Sequence, residues 1–311
     1  RVMAAASHQE PDRVPVDMVL TIDVYRDMKR LLKMDHLPDT PRMGHWTDVQ
    51  MPLEMIQALD LDMYYISPRS AKSAHSRQFE DGSFTDEWGC YWKKTMIDGG
   101  HFYFELQNPP LADATIEDLE DYEWPDPSDP KRYEGLREEM QMVRDKSDLA
   151  ILAKFAGAVF EVATYMRGHE RWYRDLVNNQ EFAHALLDKV CKIQKEIDRV
   201  CIDAVGEYVD ILRLSGEDLG TQDSPLISPR TFRKVVKPHL EELWVSAKTE
   251  LLKKNPQGKV MLHSCGSIRP FIPDLIDCGI DMLDPVQPGA NHMNRYELKQ
   301  EFGDQIVFHG N

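Results

Sequence analysis

Short apolar runs that alternate with helical stretches, each run closing in a polar corner, limit what this chain can fold into. Pro11–Met18, Leu61–Ile66, Leu149–Phe155, Tyr208–Leu214, Lys259–His263, Ile280–Asp284 and Gln305–Asn311 read as strands. Helical patterns fill Tyr25–Met34, Val49–Leu59, Tyr133–Lys146, Glu161–Gly168, Asn179–Val205, Phe232–Lys254, Arg269–Cys278 and Arg295–Phe302. Such alternation implies parallel strands with crossover helices, in a barrel or a doubly wound sheet. A doubly wound nucleotide fold would need a glycine-rich phosphate turn after its first strand, and neither Gly-x-Gly-x-x-Gly nor a P-loop is present. Polar residues at the strand ends suit a barrel, whose active sites lie at the C-terminal face. The expectation is a (β/α)8 TIM barrel over 1–311 as one domain. Seven strands are visible, so the chain is expected to stop one strand and its helices short of closure.

From about Arg69 to Pro130 the pattern changes. Gln78–Trp88 carries an Asp-Gly turn between alternating residues, a hairpin signal. Gly89–Lys93 and His101–Leu106 read as further antiparallel strands, and Tyr122–Pro130 is an acidic, proline-rich connector. This segment is expected to be an insertion capping one side of the barrel. Its aromatic residues, Trp88, Tyr91, Trp92, Phe102, Tyr103 and Phe104, form either a small core of their own or the wall of an aromatic substrate pocket.

A chain of 311 residues, 42% hydrophobic, can bury a large core. Its formal charge of −16 argues against a nucleic-acid or anionic-membrane binder. No apolar run reaches the length of a membrane span and nothing at the N-terminus resembles a signal peptide. Cys90, Cys191, Cys201, Cys265 and Cys278 lack disulfide-like spacing, which favours a reducing cytoplasm. Cys191 and Cys201 fall among the apolar residues of a helix, Cys90 sits in a hairpin and Cys278 before a glycine at a helix end, and all four read as packing.

Cys265 differs. The strand Lys259–His263 runs into Ser264-Cys265-Gly266, and side chains two apart on an extended segment share a face. One imidazole and one thiolate can therefore reach one point, which is half of a zinc site. A core cysteine beside a backbone-bonded histidine is the competing reading. Glu217 and Asp218 close another strand after Ser215-Gly216, where a site role competes with a helix cap or a solvated loop.

Asp12-Arg-Val-Pro-Val16, Phe155-Ala-Gly-Ala-Val-Phe-Glu-Val-Ala-Thr-Tyr-Met166, His263-Ser-Cys-Gly266 and Phe308-His-Gly-Asn311 together resemble the uroporphyrinogen decarboxylase superfamily. The resemblance spans nearly the whole chain, least well over 69–130. It implies a (β/α)8 barrel and one of two chemistries: cofactor-free decarboxylation of a tetrapyrrole, or zinc-dependent methyl transfer to or from a corrinoid on a partner protein. Decarboxylases of the family carry an Arg-Gln-Ala-Gly-Arg-Tyr motif after the first strand. Here that place reads Met18-Val-Leu-Thr-Ile-Asp-Val-Tyr25, without an arginine to grip carboxylates. His263-x-Cys265 resembles the methyltransferase branch instead, with Zn2+ on His263 and Cys265. That branch takes a further cysteine from downstream, which on its spacing falls beyond Asn311. Glu217 is the candidate additional or replacement ligand, and Glu217, Asp218 and His309 are the candidate catalytic residues. The resemblance thus implies a corrinoid-dependent enzyme moving methyl between a methoxylated compound or thiol and a corrinoid protein, with O-demethylation favoured. A homodimer is left open. A decarboxylase, or a non-catalytic barrel binding a ligand or partner, are the alternatives.

Overall fold

In the computed structural model the described residues are all of 1–311 except Met43, Trp46, Ser70, Lys72, Ser215 and Asn311. Ser70 and Lys72 in the expected insertion, Ser215 in the corner before Glu217 and Asn311 in the last expected strand therefore lie outside the described residues.

The chain opens with helices α1 (Val2–Ala6), α2 (Ile22–Leu32) and α3 (Leu53–Ala58), then strand β1 (Met63–Ile66). The short strands β2 (Arg77–Gln78) and β3 (Phe84–Thr85) and the longer β4 (Tyr91–Met96) and β5 (Phe102–Gln107) follow. Next come α4 (Ile116–Asp121), α5 (Leu136–Lys146), β6 (Ala150–Ala153), α6 (Phe160–Arg167), α7 (His169–Asn178) and the long α8 (Gln180–Val205). Strand β7 (Ile211–Leu214) leads to α9 (Pro229–Thr231), which continues through a wide turn at Phe232–Val236 into α10 (Lys237–Lys254). Strand β8 (Lys259–His263), α11 (Ile272–Asp277), β9 (Met282–Asp284), α12 (Arg295–Phe302) and β10 (Val307–Phe308) complete it.

Six strands form one parallel ladder in the order β1-β6-β7-β8-β9-β10, each next to its successor, as in a TIM barrel. Alternation along the strands sorts the side chains into an outer face under the helices and an inner face. The inner face is layered. Met63, Ala150, Leu152, Ile211, Met261 and Met282 pack into an apolar floor, which Val2 and Ala6 of α1 plug from below. Two residues further along the same strands stand Tyr65, Lys154, Arg213, His263 and Asp284, so the mouth of the barrel is polar and charged.

The first expected strand is not part of the ladder. Val14–Met18 runs extended beside β1, where the Asp62 N–H donates to Val16 O at 2.9 Å and the Val16 N–H to Asp62 Oδ2 at 2.7 Å. Pro15 has no N–H to extend the pairing. Side chains bridge what short strands leave open: the Tyr65 hydroxyl donates to Asp17 Oδ2, and Asp17 lies 3.3 Å from His309 Nε2 beyond β10. Among the described residues the ladder itself is not closed by hydrogen bonds.

The segment expected to be an insertion is a four-stranded antiparallel sheet, β2-β3-β4-β5. Its Asp-Gly turn forms as read, with Gly82 at φ +85° and the Ser83 N–H donating to Asp81 Oδ1 at 2.9 Å. Phe84, Phe102 and Phe104 pack edge to face as the sheet's own core. Trp92 instead faces the barrel, edge-on to Tyr165 of α6 at 5.1 Å and stacked on His45 at 4.0 Å. Among the described residues no helix is long and apolar enough to cross a membrane.

Candidate active site

The loops after β7 and β8 touch backbone to backbone. A Cβ on Gly220 would meet Ser267 N at 2.7 Å and Cys265 O at 2.9 Å, and one on Gly266, at φ +83°, would meet Thr221 O at 2.7 Å. Only glycines permit that crossing. The Ser267 N–H donates to Thr221 O at 2.8 Å, and buried Ser264 donates through Oγ to Glu217 O at 2.7 Å. Asp218 and Cys265 are thereby fixed opposite each other, with the Cys265 N–H donating to Asp218 Oδ1 at 2.8 Å.

His263, at the end of β8, completes a trio. Its Nε2 lies 3.5 Å from Cys265 Sγ and 3.6 Å from Asp218 Oδ1, and the three ligand atoms all fall within 4.8 Å of one another. Tetrahedral zinc with a sulfur at about 2.3 Å and a nitrogen at about 2.0 Å puts those two atoms about 3.5 Å apart. The observed spacing fits that geometry. Burial first, and the Asp218 carboxylate second, push the Cys265 thiol up to about 12. A cation held among these atoms would reverse that balance and leave a thiolate.

Behind the trio, Asp284 of β9 accepts from several groups. Its Oδ2 is 2.8 Å from His263 Nδ1 and 3.0 Å from Arg213 Nη2, and its Oδ1 is 2.8 Å from His309 Nδ1. Burial opposes its charge, but the two imidazoles and the Arg213 guanidinium hold the carboxyl far below the usual range. His309 is also buried against charging. Hydrogen bonding to Asp17 and Asp284 outweighs that and lifts it to about 9. A carboxylate on Nδ1 leaves Nε2 of His263 free to bind a metal, the usual support for a metal-bound histidine.

The structure brings His263, Cys265 and Asp218 together and links His309 to them through Asp284. It does not bring Glu217. That side chain is 1% exposed and turned under the start of α6, where its oxygens accept from the N–H groups of Val159 at 2.7 Å and Phe160 at 2.8 Å. Burial pushes it up to about 8 against the pull of those donors. Glu217 is a helix cap, and its neighbour Asp218 occupies the position expected for it. The Phe155–Phe160 corner has two further buried clamps: the Ala156 N–H donates to Asp198 at 3.0 Å and the Gly157 N–H to Gln194 at 2.8 Å. Reading the motifs missed Asp284, Asp17, Lys154, Arg213 and Glu161, of which all but Glu161, at the start of α6, lie at or beside the C-terminal ends of extended segments. Continuing the period-two count from each apolar floor residue would have found Lys154, Arg213 and Asp284.

A solved structure described as a methyltransferase from Methanosarcina mazei superposes with a TM-score of 0.56 at 18% identity, covering 91% of this chain and 74% of that one. A Thermus thermophilus protein, Ttha1563, gives a TM-score of 0.32 at 11% identity, covering 79% of this chain and 46% of its own. No curated protein sequence gives a match. The family model described as uroporphyrinogen decarboxylase (URO-D) matches residues 99–311, which hold the trio, Asp284 and His309. With a parallel barrel, a polar mouth and that match over most of its length, the chain belongs to the uroporphyrinogen decarboxylase family.

Proposed function

We propose that this chain is a zinc-dependent methyltransferase that moves a methyl group between a small molecule and a corrinoid carried on a partner protein. The observation that carries the reading is the spacing of His263 Nε2, Cys265 Sγ and Asp218 Oδ1 at the barrel mouth. Those three residues would hold the ion, Asp218 standing in for the downstream cysteine or for Glu217, and three protein ligands leave a fourth position for substrate. When bound, zinc supplies Lewis acidity without redox activity, acidifying a thiol or polarising an ether oxygen. Asp284 keeps the His263 ring turned with Nε2 inward, and the Gly220–Gly266 crossing keeps Asp218 and Cys265 in reach. A methoxylated compound as donor, with O-demethylation as the reaction, agrees with Trp92 and Tyr165 forming an aromatic wall between insertion and barrel.

The similarity to a methyltransferase fold supports this reading at the level of architecture. The family match favours a decarboxylase as the second reading. Against it, the segment after the first strand offers only Arg26, which is engaged with Asp39 at 2.7 Å. Elemental analysis of purified protein should find stoichiometric zinc, lost in His263→Ala and Cys265→Ser. Loss of methylcobalamin absorbance in the presence of a thiol should follow the metal. Zinc-free protein, or methyl transfer undiminished in His263→Ala, overturns the proposal.

A further inference from the structure

We infer that Lys154 receives a carboxylate on the molecule that gives or accepts the methyl group, so that this enzyme's small substrate is an acid. The inference rests on the methyl-transfer reading above and adds the chemical class of the substrate. Ala150 and Leu152 belong to the apolar floor, and Lys154 is the next residue of that inward series. Its N–H still donates to Ile66 O at 2.9 Å, so the strand geometry holds up to it. The register that pairs Leu152 with Ile211 and Ala153 with Leu212 sets Lys154 beside Arg213 on the mouth ring.

The other charges of that ring are matched. Arg213 binds Asp284, and His309 lies between Asp284 and Asp17. Among the described residues the Lys154 ammonium has no hydrogen-bond or ion-pair partner. An ammonium partly withdrawn from water without a counterion costs free energy that a bound anion returns. Two carboxyls lie within electrostatic reach and each is engaged elsewhere: Glu161 accepts the N–H of Asp218, and Asp48 pairs with Arg42 at 3.0 Å.

Geometry says how large the acid is. Lys154 and His263 stand on strands two steps apart, about 10 Å between their backbones at the usual strand spacing. Both side chains point into the mouth, so the remaining gap suits one aromatic ring or a short chain between carboxylate and methyl-bearing atom. His45, which burial first and the Lys154 charge second push down to about 4, stacks on Trp92 at the wall between insertion and barrel. A ring carrying a carboxylate has an apolar face for that wall and an anion for the ammonium.

Two pairs of probes test the inference by calorimetry on metal-free protein. One is 3-methoxybenzoate against 3-methoxybenzamide, a donor skeleton, and the other is 3-mercaptopropionate against its amide, an acceptor skeleton. In at least one pair the acid should bind tenfold or more tighter than the amide, and which pair shows it tells donor from acceptor. Lys154→Met should abolish that preference and leave the amide unchanged, and Lys154→Arg should restore most of it. Acid and amide binding alike in both pairs, or an acid preference that survives Lys154→Met, overturns the inference. Because the probes need no metal, an acid preference in a protein that takes up no zinc would sink the methyl-transfer reading while leaving Lys154 as the carboxylate site, and zinc uptake without any acid preference would sink only this inference.

Discussion

Asp284 accepts from His263, His309 and Arg213 at once, and its removal separates orientation from ligation. Asp284→Asn keeps the shape but can no longer hold both Nδ1–H groups. Metal affinity should fall by about 10–100-fold, the usual cost of losing the carboxylate behind a metal-bound histidine, as measured by competition with a chromogenic chelator. A second carboxyl governs stability. Burial pushes Asp198 up to about 7 from 3.8, and one of its oxygens has no hydrogen-bond partner among the described residues. A raised acid binds more protons in the native state than in the unfolded one, so stability falls as pH rises from about 4 to about 7. Asp198→Asn should flatten that dependence, leaving pH 4 nearly unchanged and gaining about 2–4 kcal/mol at pH 8 in urea unfolding. His263 and Cys265 could be read in the sequence because two positions on one strand end share a face. The choice between Glu217 and Asp218 could not: adjacent residues diverge, and which one faces the mouth depends on where α6 begins.

Helix α8 and the strands of the ladder follow directly from their periodicity, since a long amphipathic face and short apolar runs have few other ways to be buried. The segment Val14–Met18 did not join the ladder, because proline removes a donor and Asp62 takes the Val16 N–H with its side chain. Loops were the least legible, since their shape comes from elements distant in sequence. The Gly220–Gly266 crossing is the clearest case, as each glycine is needed only because the other is there. Gly266→Ala would place a methyl at a positive φ and 2.7 Å from Thr221 O. We expect a loss of about 1–3 kcal/mol in global stability, the usual cost of such a backbone strain. Zinc affinity should drop at least tenfold by chelator competition, because Asp218 and Cys265 are forced apart. Retention of wild-type affinity would mean that the two loops do not hold the trio in place.

Floor and mouth of the barrel differ in character: the apolar layer around Leu152 and Met261 packs and stabilises, and the charged layer above it, two residues along, gathers the candidate site. The insertion is tied to that body at several places, two buried ones among them. Arg132, 2% exposed, ion-pairs with Glu87 at 2.6 Å, and Trp92, 4% exposed, packs on His45 and Tyr165 while donating through Nε1 to Asp86 at 2.8 Å. A small sheet whose largest inward ring is buried against the barrel gains much of its stability from docking. Insertion and barrel should therefore unfold together, in a single transition seen alike by tryptophan fluorescence and far-ultraviolet dichroism. Trp92→Ala should cost about 3–5 kcal/mol, the range for truncating a buried aromatic. It should also open Arg77, Lys93 and Lys94 to trypsin well before the barrel is cut, since opening at the insertion then precedes global unfolding. Two separated transitions in the wild-type protein would show instead that the inserted sheet is a domain of its own.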